Sequence, residues 1–561
     1  MPRKCLTRRG VAKLEEKCKI TLQEDWNEPW DLLGVLTLAR SFTKTRYLEI
    51  HIPWGRGSYK ESEIQFRRVA RMISKLSSVG KAVLYFEKLI DVVNLKQVVD
   101  VWELLEKKDY PRNRADAMPF CEGLGGIFNA LLERGCTSLE VWCFRQDDRI
   151  FKETLGSPQR NPTSSTVKDI KTTPKNLDEK SLPLYSEPEA LNTGNPKPTV
   201  LSGPTWCYRS PYGPIEPLVH LSPEARANSK LTSLTILSGW HGAMLQPPML
   251  QWTYDVLSLP SLTTLILNGI DVSSPQRWTV LAEILPRARS NVRHLTIDDV
   301  KDISPGDLSI IIDGFPSLET LSVDDVTFAH DDSGTGRYDK HGNFLCTRFP
   351  GSAEFTFAYP QWMHLRELRM HTQWIIDPPQ LSRVLSESAM ALERFTVVIK
   401  DKEWKILMGF RPFSTWSSAG IQGLKMIFTH FAEVQPLRFQ VNVEIYLPKN
   451  HPVEWMKGVG KITGTQLSNI QTWSRVITGV ILVAERRFLV PGDTASSTIW
   501  ESVGRWFTDI LPGLQRVEFK KGNTRDQRTL VSLRAFLCRW AIREVLQGME
   551  SVKLNGERWQ W

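Results

Sequence analysis

The chain has 561 residues, several times the usual size of one domain, so it must contain several domains, a large barrel or an array of repeats. Apolar residues make up 41% and charged residues 24%, which supplies a continuous core and excludes a chain that is disordered throughout. The net charge of +9 is a modest excess that permits an acidic partner without requiring one.

The first residues of the chain are basic and lack the apolar core of a secretory signal. No apolar run of about 18 residues occurs that would span a bilayer. The eight Cys are scattered, with neither CxxC spacing nor the density of a disulfide scaffold. These features predict a cytoplasmic or nuclear protein with reduced thiols and no membrane contact.

In the first part of the chain, strand-like segments alternate with amphipathic helices. Strands are predicted at 47–52, 82–86 and 139–144, and helices at 61–75, 95–105 and 124–132. We assign residues 1–154 to N-terminal α/β repeats.

Residues 155–217 are rich in Ser, Thr, Pro, Asn and Lys and show no sustained periodicity, which predicts a disordered linker or insertion. Its hydroxyl-rich stretches are compatible with two interpretations, an inert linker or a phosphorylated segment. A shorter insertion, 330–351, is either a solvated loop or an ion site. The residues that would form such a site are His330, Asp331, Asp332 and His341.

Residues 218–561 repeat a short apolar unit. The segments that begin at Leu262, Val292 and Leu318 share apolar positions 1, 4, 6 and 9. Fainter copies of this L-x-x-L-x-L template begin at Leu365, Leu392, Leu514 and Met549. Helices are predicted to start at Ser274-Pro275, Ser304-Pro305 and Asp377-Pro378, where a capping side chain precedes a proline.

One strand and one helix cannot bury their own apolar faces, whereas stacked neighbours share a core. The repeats therefore predict an α/β leucine-rich-repeat-like solenoid. We expect a horseshoe with a parallel sheet on its concave face and helices on its convex face, interrupted by the disordered insertion.

The sequence contains none of the common catalytic motifs: GxxxxGK[ST], HExxH, GxSxG and GxGxxG between strand and helix are all missing. The glycines at 458–464 lack the spacing of a phosphate-binding loop. We therefore predict that the protein is not an enzyme and needs no catalytic residues, cofactor or metal.

Alternation along each strand places the residues between the core positions on the concave face, where they form a mixed polar strip suited to a macromolecular partner. The predicted partner-binding residues are His294, Thr296, Asp298, Thr320, Ser322, Asp324, Glu367, Arg369 and His371. Asp298 and Asp324 occupy equivalent repeat positions, about 5 Å apart on adjacent strands. They are either solvated carboxylates at a strand end or an acidic patch that receives Lys or Arg from a partner.

Most of the 20 Trp are predicted to pack in the core, while Trp473, Trp559 and Trp561 are candidates for partner contacts. A basic run near Trp540 makes nucleic acid the alternative partner, although a solvated helix face explains it as well. That run consists of Lys520, Lys521, Arg525, Arg528, Arg534, Arg539 and Arg543.

The repeat units that begin at 262, 292, 318, 365 and 392 resemble the irregular leucine-rich repeats of F-box proteins, in particular the divergent, Trp-rich ones of filamentous fungi. The resemblance implies a protein-binding scaffold whose repeats hold a substrate for ubiquitination. It also implies an N-terminal F-box that recruits a Skp-type adaptor of a ubiquitin ligase. The Leu-Pro-x-Glu-Ile-like opening of an F-box is absent here, so no family residue is carried over as a site.

Overall fold

The computed structural model describes several stretches of the chain. These are residues 17–21, 45–54, 59–88, 110–145, 185–186, 207–210, 213–215, 219–238, 244, 249–269, 288–300, 303, 305–326, 337–338, 344–347, 354–356, 359–360, 362–409, 417–434, 436–448, 452–459, 461–488, 490, 497–522 and 527–561.

The chain divides into two compact units. The first contains residues 1–292 with 300–302 and 314–316, and the second contains 293–299, 303–313 and 317–561.

The first unit is an α/β arrangement of parallel strands alternating with helices. Its strands are β1 (Lys17–Thr21), β2 (Thr45–Trp54), β3 (Val79–Lys88), β4 (Ser138–Arg145), β5 (Tyr185–Ser186), β6 (Cys207–Ser210), β7 (Gly213–Ile215), β8 (Ser233–Ser238) and β9 (Thr264–Asn268). The parallel order is β1-β2-β3-β4-β8-β9. Its helices are Tyr59–Ile73, Tyr110–Glu133, Pro223–Asn228 and Leu250–Leu257.

The three short strands β5 to β7 form a separate antiparallel sheet. They lie inside the segment 155–217, for which the sequence predicts no regular structure. All other residues of that segment lie outside the described residues, as does the predicted helix 95–105. The strands predicted near 47, 82 and 139 are confirmed.

The second unit is also an α/β arrangement. Its strands are β10 (His294–Asp298), β11 (Thr320–Asp324), β12 (Arg337–Tyr338), β13 (Phe344–Thr347), β14 (Glu354–Thr356), β15 (Glu367–His371), β16 (Arg394–Lys400), β17 (Gln440–Tyr446), β18 (Ile477–Ala484), β19 (Arg516–Lys521), β20 (Ser551–Leu554) and β21 (Glu557–Arg558). Its helices are Pro305–Asp313, Pro378–Arg383, Asp401–Leu407, Ser417–Glu433, Pro452–Val459, Gly464–Ser474, Ser497–Thr508, Arg528–Leu537 and Trp540–Gln547.

Strands β10, β11 and β15 to β20 pair in parallel, each with the next. β21 reverses direction and pairs antiparallel with β20. The reversal uses Asn555 and Gly556, whose φ angles of 54° and 89° suit a two-residue hairpin turn. β12 to β14 form a small antiparallel sheet, of which β12 and β13 lie inside the predicted insertion 330–351 and β14 follows it. His330, Asp331, Asp332 and His341 lie outside the described residues.

The core consists of the template positions predicted from the repeats. In the unit around β11, Leu318, Leu321 and Val323 are at most 4% exposed, and Leu365 and Leu368 repeat this pattern at β15. The alternate residues of these strands are more exposed. The structure therefore confirms an α/β fold with mostly parallel strands and helices in alternation.

The predicted helix start at Asp377-Pro378 is confirmed. The helix Pro378–Arg383 begins with proline, and the Asp377 side chain accepts a hydrogen bond from the Gln380 N–H at 3.0 Å. The cap satisfies one of the N–H groups that a helix start leaves without a partner. The predicted start at Ser274-Pro275 lies outside the described residues.

Candidate functional site: the polar strip of the second unit

The predicted partner-binding residues form rows on one face of three adjacent strands. His294 pairs in register with Thr320, and Thr320 with Glu367. The next row is formed by Thr296, Ser322 and Arg369. The third begins with Asp298 and Asp324. We call this face of β10, β11 and β15 the polar strip.

Most of the polar strip is accessible to solvent. His294 is exposed, and seven of the other predicted residues are half-buried. Their neighbours in sequence are core residues, for example Leu295 and Ile297 at 1% and 2% exposure. The alternation therefore separates a core face from a polar face, as the period of a strand requires.

The turns that follow β10 and β11 explain why the sequence has aspartate pairs at 298–299 and 324–325. Asp299 and Asp325 have φ angles of 48° and 43°, and Gly269 occupies the equivalent position after β9 with a φ of 63°. Asp and Gly are among the residues that enter this left-handed region most readily. The second aspartate of each pair is thus a turn residue, whereas Asp298 and Asp324 end their strands.

Arg369 organises the carboxylates at the centre of the strip. Its Nε and Nη2 donate to the two carboxylate oxygens of Glu444 at 2.9 and 2.8 Å. Nη2 also donates to Asp324 at 2.8 Å, and Nη1 donates to the Ser322 hydroxyl at 3.1 Å. Burial alone would lower the pKa of this guanidinium, but its bonds to Glu444 and Asp324 raise the pKa overall. Arg369 is therefore a fixed cation between carboxylates.

Asp298 lies at the edge of this network with an excess of negative charge around it. Burial raises the pKa of its carboxyl to about 6, and Asp324 and Asp299 contribute in the same direction. Arg369 acts in the opposite direction but does not cancel the effect. This end of the strip consequently favours a cationic neighbour.

A second ion pair lies beside the first. Lys400, the last residue of β16, places its Nζ 2.8 Å from Asp325 Oδ1. Burial lowers the pKa of Lys400, but the bond to Asp325 and the negative charges of Asp325, Glu403 and Asp324 together raise the pKa overall. Both side chains are about half exposed, so the pair contributes little to stability and mainly fixes the position of the charges.

His371 differs from the prediction, because it is 2% exposed and offers no surface to a partner. Its Nδ1 accepts a hydrogen bond from the Gln373 N–H at 3.2 Å and caps the 3₁₀ turn Thr372–Trp374. Its Nε2 lies 3.5 Å from Glu403. Burial lowers the pKa of the imidazole despite this carboxylate. His371 therefore has a structural role.

Three residues of the network are not among those predicted from the sequence: Lys400, Glu403 and Glu444. Glu403 accepts hydrogen bonds from the Thr372 hydroxyl at 2.9 Å and from the Lys400 backbone N–H at 2.7 Å. The alternation Val441, Val443 and Ile445 in β17 is the signal that would have placed Glu444 on the polar face.

The tryptophans predicted as contacts divide into two groups. Trp473 is 1% exposed and packs in the core against Phe428 with ring centroids 6.1 Å apart, so that prediction is wrong for Trp473. Trp561 is 39% exposed and meets Trp559 edge to face at 6.3 Å. Only these last two remain at the surface.

The predicted basic run is divided between a strand and two helices. Lys520 and Lys521 belong to β19, whereas Arg528 and Arg534 are exposed on the helix Arg528–Leu537. Arg525 lies outside the described residues. A different basic pair appears in the terminal hairpin, where Lys553 on β20 is directly opposite Arg558 on β21 and both are exposed.

The polar strip offers fixed hydrogen-bond donors and acceptors on an accessible face. Within the described residues, no group of three or more His, Cys, Asp or Glu side chains is placed to hold a metal ion. The helices in the described ranges lack the length and apolar character needed to cross a bilayer. Comparison with protein-family models and with curated proteins finds no match to this chain.

Proposed function

We propose that this chain is a non-catalytic scaffold that binds another protein through the polar strip. The observation that carries the proposal is the alignment of eight accessible polar residues in register on three neighbouring strands. Contiguous strips of varied polar side chains on parallel strands are the binding surfaces of solenoid proteins.

The Arg369 network supports this function because its charges are already fixed. Asp324 and Glu444 are 13% and 7% exposed at their side chains and stay in place through their bonds to Arg369. Docking on such a surface costs less side-chain entropy than docking on a surface whose side chains must first become ordered. The excess of carboxylates near Asp298 favours Lys or Arg at that end of the contact.

We test the proposal with two substitutions that add bulk and charge to accessible strip positions, Thr296→Arg and Thr320→Arg. The matched control is Thr472→Arg, an exposed threonine on the helix Gly464–Ser474. Nuclease-treated extracts are passed over each form of the full chain. Recovered proteins are identified, purified and titrated against each form by calorimetry.

The proposal predicts a protein that binds the wild type and the Thr472→Arg control equally, and that binds the two strip variants at least about tenfold more weakly. Equal binding to all four forms would show that the strip is not the contact. Recovery of nucleic acid without any reproducible protein would contradict the proposed class of partner.

A finer proposal assigns the scaffold to leucine-rich-repeat proteins and to the receptors of ubiquitin ligases. The L-x-x-L-x-L style of its repeats supports it. The test is co-purification of the full chain with a Skp-type adaptor, since a receptor that acts through an F-box must bind one. Absence of binding at micromolar concentrations removes the ligase role and leaves the scaffold role untouched.

A second candidate function is binding of nucleic acid by the terminal hairpin. Like charges directly opposite each other on antiparallel strands are unfavourable, and Lys553 and Arg558 stand in this relation. An anionic partner would relieve their repulsion. A labelled oligonucleotide tests the idea, since binding should weaken with salt and with Lys553→Glu but not with Arg383→Glu, an exposed control.

A further inference from the structure

The face that carries the polar strip continues through the rest of the second unit. One row of residues on it passes in register through eight parallel strands, β10, β11 and β15 to β20. The row consists of Thr296, Ser322, Arg369, Thr396, Asn442, Gly479, Arg516 and Ser551. Seven spacings of about 4.8 Å give this face a length of about 34 Å along the sheet. We call this face, together with its continuation on β21, the extended strip.

One end of the extended strip is acidic. Asp298 and Asp324 lie side by side on β10 and β11, and the turns after these strands add Asp299 and Asp325. Burial raises the pKa of the Asp298 carboxyl, and the other three aspartates act in the same direction, whereas Arg369 alone opposes them. The charge around Asp298 is therefore negative even with Arg369 included.

The negative field extends as far as β17 and is followed by an uncharged strand. Burial raises the pKa of the Tyr446 phenol, and Glu444 and the aspartates of β10 and β11 raise it further. On the next strand, β18, the residues on this face are Gly479, Ile481 and Val483. Val483 is 4% exposed and Ile481 is half-buried. The middle of the extended strip thus offers an apolar contact without charge.

The other end of the extended strip is basic. On β19 this face carries Arg516, Glu518 and Lys520, which alternate with core residues. Glu518 lies 3.7 Å from Lys520. On β20 and β21 the face carries Lys553 and Arg558, which are exposed and directly opposite each other. Neither of them forms an ion pair within the described part of the chain, so both cations are available to a partner.

We propose that the extended strip binds a protein segment whose charge changes sign along its length, with Lys or Arg over the aspartates of β10 and β11 and Asp or Glu over Lys553 and Arg558. The inference rests on the proposed scaffold function and specifies its partner. An extended chain advances about 3.4 Å per residue, so about ten residues separate the two charged ends of the segment. An apolar residue between them meets Ile481. A nucleic acid fits this arrangement poorly, because it is negative along its whole length and is repelled by the acidic end.

Fluorescence anisotropy with two synthetic peptides tests the charge order. The first peptide carries lysines at one end and glutamates at the other, about ten uncharged residues apart. The second alternates the same lysines and glutamates along its length. The full chain should bind the first peptide at least about fivefold more tightly at low salt, because only its charges meet both ends of the extended strip. A photo-reactive group at its lysine end should cross-link to residues 294–325, and one at its glutamate end to residues 516–558.

Substitutions at the two ends test the contacts separately. Lys553→Glu reverses a cation at the basic end and should weaken binding of the first peptide about fivefold. Its matched control is Lys425→Glu, at an exposed lysine on the helix Ser417–Glu433. Asp298→Asn removes a carboxylate at the acidic end and should weaken binding about threefold, whereas the control Asp313→Asn should not. Circular dichroism verifies that each variant is folded.

The proposal is overturned if neither peptide binds, if both bind equally, or if the cross-links do not depend on the labelled end. A Lys553→Glu variant that binds like Lys425→Glu also overturns it. So does an oligonucleotide that binds the wild type more tightly than the first peptide and loses its affinity in Lys553→Glu, which would assign the basic end to nucleic acid. The scaffold function is judged independently, by whether Thr296→Arg and Thr320→Arg weaken binding of a recovered cellular protein.

Discussion

Arg369 and Glu444 form a two-bond ion pair although their strands are not neighbours. β16 lies between β15 and β17, so the guanidinium crosses about two strand spacings of 4.8 Å each. The residues beneath it on β16 are short, and Thr396 and Val398 are 9% and 0% exposed. The pair is therefore both a link across three strands and a cover for the centre of the sheet face.

Replacement of Arg369 by Met is expected to destabilise the fold by about 2 to 3 kcal/mol, because it leaves the buried Glu444 without its cation. The double variant Arg369→Met with Glu444→Gln should recover part of this loss. Denaturant unfolding of the wild type, the single variant and the double variant measures the loss and its recovery. A single variant as stable as the wild type would show that the pair contributes nothing.

Stability should depend on pH through Asp298. Its pKa rises from 3.8 to about 6 on folding, so between these values the folded chain binds more protons than the unfolded chain. The stabilisation from its protonated form is complete at low pH and is lost as the pH rises through about 6. Asp298→Asn removes this dependence. Relative to that of the wild type, its free energy of unfolding should therefore rise by about 1 kcal/mol as the pH increases from 4 to 8. This gain is smaller than a pKa shift of about two units implies, because the carboxyl of Asp298 is partly exposed to solvent.

The measurement for Asp298 is the free energy of unfolding at several pH values. Asp313→Asn, at an exposed aspartate on the helix Pro305–Asp313, serves as the control. A stability difference between Asp298→Asn and the wild type that stays constant with pH would contradict the raised pKa.

The turns after β9, β10 and β11 should tolerate only residues that accept a positive φ. Gly269→Asp places at this site the residue found at Asp299 and Asp325, and we expect a loss of less than about 1 kcal/mol. Gly269→Val should lose a further 1 to 2 kcal/mol, roughly the cost of a β-branched residue in the left-handed region. Thermal unfolding compares the two. Equal melting temperatures would refute the conformational argument.

Two helical glycines should respond in opposite ways to alanine. A Cβ at Gly420 would overlap the Thr372 carbonyl oxygen, whereas a Cβ at Gly458 would meet nothing within 4 Å. Gly420→Ala should cost about 1 to 3 kcal/mol through displaced backbone. Gly458→Ala should stabilise by about 0.5 to 1 kcal/mol, because alanine loses less chain entropy in a helix. Denaturant unfolding decides both, and a stabilised Gly420→Ala would contradict the packing at that position.

Repeated local patterns were sufficient to predict several of the strands, their core positions and the helix start at Asp377. The template places Leu321 and Val323 in the core because successive residues of a strand point to opposite faces, a rule that needs no tertiary information. The same patterns did not predict other strands. β8 fits the template with Leu231, Leu234 and Ile236 but is not predicted, and β17 lacks the leading leucine.

The partners of each side chain depended on the tertiary structure. The polar face of β15 is predictable from alternation, but Glu444 reaches Arg369 only because two later strands pair beside it. His371 continues the same alternation and is nevertheless buried, since the segment after β16 brings Glu403 against it. The period of a strand determines which way a residue points. Whether that direction leads to solvent, to a carboxylate or into the core depends on segments far away in sequence.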